Sequence, residues 1–187
     1  MAGLMARAGG GAEAVEAGES GVMGAQQDNK TTGLQDYGTT ELKMDCGVMR
    51  DAAQKAAARV RQESPGHLEA CAYELARFYN TFERMLERIC DEFENHFDKR
   101  GDYHEKLLQR LSLSLEGFRP HFIPPEALNG LRELKGFRHL VRHAYDLTLR
   151  PDRLAELSDL ADEIAGELQS WCIAFGKKVS SEQGWEV

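Results

Sequence analysis

A chain of 187 residues, 42% of them hydrophobic and 29% charged, has room for one domain with a buried core plus a tail. Its formal net charge of −8 excludes a protein coated along its length in nucleic acid, so any RNA contact must be local. No apolar run reaches transmembrane length, no apolar signal segment follows Arg7, and Cys46, Cys71, Cys90 and Cys172 show no CxxC or Cys/His zinc spacing, so the expectation is a soluble, cytoplasmic protein with reduced thiols.

The first 47 residues read as a disordered extension. Gly9, Gly10, Gly11, Gly18, Gly21, Gly24, Gly33 and Gly38 interrupt any helical period, and large apolar residues are too few to offset the entropy of ordering. Met23, Met44 and Met49 are alternative starts. Residues 48–179 read as one helical domain, and 180–187 as a flexible C-terminal tail.

Val48 to Gln62, rich in Ala, Lys, Arg and Gln, predicts a marginal leading helix with a thin apolar face. Ser64-Pro65-Gly66 breaks it, with Ser64 as a possible N-cap and Pro65 at the first helical position. From about His67 to Phe97, Leu68, Leu75, Phe78, Phe82, Met85, Ile89, Phe93 and Phe97 recur at helical intervals and form a core-facing stripe. Asp102 and Glu105 resemble a capping box opening a helix to about Glu116 with Leu107, Leu108, Leu111 and Leu115 inside; His104 in its first turn reads as solvated. After a loop containing His121, Pro125 opens a helix expected to reach Arg150, with Leu128, Leu131, Leu134, Phe137, Val141 and Ala144 buried. The last helix, Pro151 to about Lys178, carries Leu154, Leu157, Leu160, Ala161, Ile164, Leu168, Trp171, Phe175 and Val179. No strand-type alternation and no repeat appears, so the fold class is all-α, an up-and-down bundle of four to five helices.

Chemistry concentrates in Gly136-Phe137-Arg138-His139-Leu140-Val141-Arg142-His143-Ala144-Tyr145. Arginine presents a permanently charged fork suited to phosphate oxygens, and histidine can give and take a proton near neutral pH. Together they suffice for in-line attack on a phosphodiester without a metal. From Leu131 to Arg150, five cations face two carboxylates. Gly136 beside the Arg would let a backbone or ligand come close. On a straight helix Arg138 and Tyr145 share a stripe, whereas Arg138 and His143 stand about 140° apart, so two copies facing each other would unite the pair more easily than one.

Arg138-x4-His143-x-Tyr145 resembles the RX4HXY motif of the HEPN superfamily, specifically its HepT-like toxins; the polar His139 after the Arg and the Phe137 before it fit as well, and the resemblance covers roughly Leu68 to Val179. It implies a homodimeric, metal-independent endoribonuclease toxin of a type VII-like toxin–antitoxin pair, with no cofactor, in which a 2′-OH attacks the adjacent phosphorus to leave a 2′,3′-cyclic phosphate. His143 would be the general base or acid and Arg138 the phosphate ligand, with His139 and Arg142 as further RNA contacts. Tyr145 would be the residue that a minimal nucleotidyltransferase antitoxin modifies with AMP. The long N-terminal extension and the acidic total depart from a compact free nuclease. The alternative reading is a non-catalytic HEPN scaffold that partners a nucleotidyltransferase, and a third is a structural bundle with an accidental motif.

Overall fold

The described residues form five α-helices: α1 (Met23–Val60), α2 (His67–Phe93), α3 (Tyr103–Leu111), α4 (Leu128–His143) and α5 (Pro151–Glu182). The computed structural model describes residues 23–93, 102–117, 119–143 and 147–182, with side chains described between 40 and 179. Among these residues there is no β-strand, only an isolated bridge between Leu115 and Arg119, and the fold is an all-α bundle. No helix is long and apolar enough to cross a membrane among the described residues.

The centre is α2, which touches each of the other four helices. The expected stripe is there: Leu75, Phe78, Phe82, Met85 and Ile89 are buried, and Leu68 and Phe93 are half-buried. Phe97 lies outside the described residues. Burial extends further round the helix than the stripe required, taking in Cys71, Ala72, Tyr79, Leu86 and Cys90, because helices cover α2 on several sides. The helix starts at His67, not at Pro65: Gly66 takes the left-handed conformation with φ of 76°, and its carbonyl accepts the first bond, from the Ala70 amide at 3.0 Å.

The expectation of a marginal first helix is corrected. α1 packs on both α2 and α5, and Met49, Ala52, Ala53 and Ala56 are fully buried. A face of alanines looks thin by hydrophobicity, but small side chains let two helices approach closely, and dispersion contact falls off steeply with distance. Leu42 and Cys46 also pack on the core, and Asp45 is buried with Arg88 at 2.6 Å, so the boundary expected between residues 47 and 48 falls inside a continuous helix. Cys46 on α1 stands 3.7 Å, sulfur to sulfur, from Cys172 on α5, and the cysteines are free thiols.

α3 is shorter than expected, closing at Leu111 instead of near Glu116. The reason is the turn that follows. Gly117 is left-handed, Leu115 and Arg119 exchange backbone bonds of 2.8 and 2.9 Å, and the Arg119 side chain is wholly buried. Its guanidinium donates to the carbonyls of Arg110 (3.0 Å) in the last turn of α3 and of Leu113 (2.9 Å) and Pro120 (3.2 Å) in the loop, pinning the loop to the helix end. The connecting segment then enters the core: Phe122 and Ile123 are buried, and Phe122 meets Trp171 and Phe175 edge-on. His121 is only partly covered and its amide bonds Ser114 at 3.0 Å. The expected capping box does not form, since Asp102 makes no side-chain cap bond.

Pro124 and Pro125 start the next element as expected, through one 3-10 turn (Pro125–Ala127). Gly130 packs close against α5: a Cβ built there would lie 2.7 Å from a Leu160 methyl. The helix does not reach Arg150; residues 147–150 are non-helical, as the residue before Pro151 disfavours helical backbone. α5 buries its expected stripe from Leu154 to Phe175, with Leu160 and Val179 half-covered, and continues to Glu182.

Candidate functional site

The periodicity of α4 places Arg138 inside. Leu131 and Leu134 are buried, and the next position on that stripe is Arg138, 8% exposed. A guanidinium at a core position needs a counter-charge and bonds, because an isolated buried charge is prohibitively costly. Glu83 supplies the charge from the central helix α2, itself 6% exposed, with its Oε2 3.1 Å from Arg138 Nη2. Asn80, one turn earlier on α2, accepts a bond from Arg138 Nε. The other oxygen of Glu83 meets Nδ1 of His104 from α3. One buried carboxylate thus ties three helices together, and His104, expected to be solvated, stays partly exposed but is anchored through Nδ1.

Arg138, Asn80 and Glu83 also line an open groove of about 480 Å³, together with Tyr73, Arg77, Thr81 and Arg84 of α2. Arginine carries five N–H donors, and Glu83 and Asn80 engage two nitrogens, so donors remain for a ligand in the groove. Arg77 is held by Asp51 and Glu74, each at 3.0 Å, and Arg84 is exposed beside Thr81.

The surplus of positive charge along α4 is largely consumed by folding. Arg132 and Lys135 share Glu105 of α3, whose carboxyl they hold down at about 2, Lys135 being the stronger influence. Arg138 pairs with Glu83 and Arg150 with Asp152. Arg142 is exposed, and no ion pair involves it among the described residues. His139 and His143 are exposed too, with ring centroids 4.6 Å apart. The described chain therefore separates the expected pair: Arg138 points into the interior and His143 lies on the outer side of α4. Tyr145 lies outside the described residues. Gly136 faces open space, so no backbone among the described residues makes the close approach that its position suggested. Among the described residues, no group of three or more His, Cys, Asp and Glu side chains is placed to hold a metal.

Sequence reasoning missed Glu83, Asn80 and His104. A signal did exist for the first: Glu83 stands between Phe82 and Met85 and one turn after Tyr79, a charge where the α2 pattern calls for an apolar residue.

A family model for HepT-like proteins matches residues 70–179, more than half of the chain. The chain belongs to the HepT-like family, within the HEPN superfamily. No curated protein and no solved structure matches it. The matched region of this HepT-like protein begins in α2 and takes in α3, α4 and nearly all of α5, so it contains Glu83, His104 and the whole of Arg138-x4-His143-x-Tyr145. α1 precedes the match, yet covers one side of α2 and α5 in the HepT-like bundle.

Proposed function

We propose that this HepT-like protein is an endoribonuclease toxin that needs no metal. The observation carrying this reading is Arg138 of the HEPN motif, anchored by buried Glu83 and Asn80 while lining an open polar groove. A preorganised guanidinium loses little entropy when it takes up a phosphate and the charge that develops on it. The ribose 2′-OH attacks phosphorus, the 5′ oxygen leaves, and a 2′,3′-cyclic phosphate remains. His143 moves a proton in this step, and exposed Arg142 and His139 hold the RNA backbone nearby. Because Arg138 and His143 sit on different sides of α4, the working site joins Arg138 of one copy to His143 of a second, in a homodimer. The off switch is a nucleotidyltransferase antitoxin that adds AMP to Tyr145, placing bulk and negative charge beside the cleft.

Incubation with total RNA in EDTA tests the reading. Wild type should cut and leave cyclic phosphate ends, and the Arg138→Ala/His143→Ala double variant should not. A folded wild type that leaves RNA intact refutes it. That outcome favours the second reading, a non-cutting partner of a nucleotidyltransferase, which has its own support: an ion pair with Glu83 is sufficient structural reason for Arg138 to be present.

A further inference from the structure

Cleavage by 2′-OH attack needs two proton transfers, one from the attacking hydroxyl and one to the leaving 5′ oxygen. Attack and departure lie in line, so the two groups must stand on opposite sides of the phosphorus. The motif on α4 offers His143 for one of them. His139 lies tilted against His143 on the exposed outer face, away from the side of α4 that holds Arg138.

We propose that His104 is the second proton-transfer group, a general base oriented by Glu83; this rests on the ribonuclease reading above. The buried carboxylate accepts from Nδ1–H of His104, which fixes the tautomer and leaves the Nε2 lone pair as the base. The imidazole side chain is 45% exposed, while Glu83 is buried, the combination of an anchored and an accessible end. The same carboxylate holds Arg138 through its other oxygen, so base and phosphate ligand are registered to each other through one rigid group. α3 packs beside the inner side of α4 just before Arg138, where its Glu105 grips Arg132 and Lys135. In this proposal the acid, His143, comes from the facing copy, across the phosphate from the His104 that Glu83 ties to Arg138.

The step balances. Nε2 of His104 takes the proton from the 2′-OH as the 2′-O–P bond forms. The P–O5′ bond breaks, and the 5′ oxygen takes a proton from the His143 imidazolium. The products are a 2′,3′-cyclic phosphate and a 5′-OH, with no other reactant. The charged groups around the dyad are Arg138 and Lys135 from α4, Glu87 from α2, bonded by the neighbouring Tyr103, and Glu105 within α3.

The test compares wild type with His104→Asn, whose amide can still donate to Glu83, and with His143→Ala, each checked for native helical signal. Single-turnover rates are measured across pH on an RNA oligonucleotide that wild type cuts, and on the same oligonucleotide with sulfur in place of the leaving 5′ oxygen. His104→Asn should lose roughly 100- to 10,000-fold in rate and lose the inflection on the acid side of the pH profile. It should remain slow on the sulfur substrate, which departs without a proton, whereas His143→Ala should recover there. Unchanged rates in His104→Asn, with His143→Ala inactive on the natural substrate, overturn the role of His104 and leave the ribonuclease reading standing. A slower His104→Asn that keeps the acid inflection also overturns it, because mere support of Glu83 would give that result. A wild type that does not cut overturns both.

Discussion

The two sides of α4 obey different rules. On the inner side Arg138 is fixed by Glu83 and Asn80, and Glu83 in turn by His104. On the outer side His139, Arg142 and His143 are exposed, and the two histidine rings touch each other. The motif is thus half architecture and half free surface. A buried charge must be paired for the chain to fold, so the inner half would be retained for stability even without any reaction. An exposed histidine stabilises little, and although Arg142 and His143 suit the C-terminal turn of α4 electrostatically, that role does not call for His139 beside them.

The sharpest way to break this contrast is to remove a single partner from the inner side. Glu83→Ala should cost about 3–5 kcal/mol, read as a lower urea midpoint, because it leaves Arg138 buried without its counter-charge. Replacing both partners by apolar residues, Glu83→Leu with Arg138→Met, should cost far less than the single change. Equal costs would mean that the pair is not buried in solution. His143→Ala should stay within about 0.5 kcal/mol of wild type. Next in size is Arg119→Met, expected at about 3 kcal/mol, since it strands the carbonyls of Leu113 and Pro120 and takes one of two donors from that of Arg110. A neutral result there would show that water reaches those acceptors.

The apolar stripes of α2, α4 and α5 were legible because helical period and burial report the same fact twice. The bundle followed from them, and the motif located the α4 end of the site. What escaped was all relational. Ala52, Ala53 and Ala56 gave no sign that they face α2 and α5 at close range, because smallness is a virtue only against a neighbour. Glu83 and His104, 21 residues apart, have nothing in their spacing that announces a dyad. Arg119 looked like a loop residue, and its role depends on carbonyls up to nine residues earlier. Glu105 suited an N-terminal cap by position, yet two cations from α4 offer its carboxylate more than a backbone amide would.

That choice by Glu105 gives a smaller effect with a pH signature. Its carboxyl lies at about 2 against an ordinary 4.5, so the folded state favours the charged form. The contribution is complete above the ordinary value and fades as pH falls from about 4.5 towards about 2. Lys135 and Glu105 are each about a quarter exposed, so solvent screening reduces the effect, and Glu105→Gln should cost about 1 kcal/mol at neutral pH. Urea midpoints of variant and wild type should converge in acid. A gap that persists at pH 2 would assign the loss to packing instead of charge.

The smallest expected change bears most directly on the outer face. Gly136 is exposed, and a Cβ there meets nothing within 4 Å, so Gly136→Ala should stabilise α4 by about 0.5–1 kcal/mol through helix propensity alone. Gly130→Ala is the control, because its Cβ must displace Leu160 and any gain should be cancelled or reversed. If Gly136→Ala raises the urea midpoint and RNA cleavage is untouched, nothing outside this chain comes close to α4 just before Arg138. If it raises the midpoint and cleavage falls, the empty space beside Gly136 is filled in the working protein, and concentration dependence tells by what. A loss of activity that is restored at high protein concentration identifies the second copy, since a methyl that weakens a dimer can be overcome by mass action. A loss independent of protein concentration but relieved by more RNA identifies the substrate strand itself.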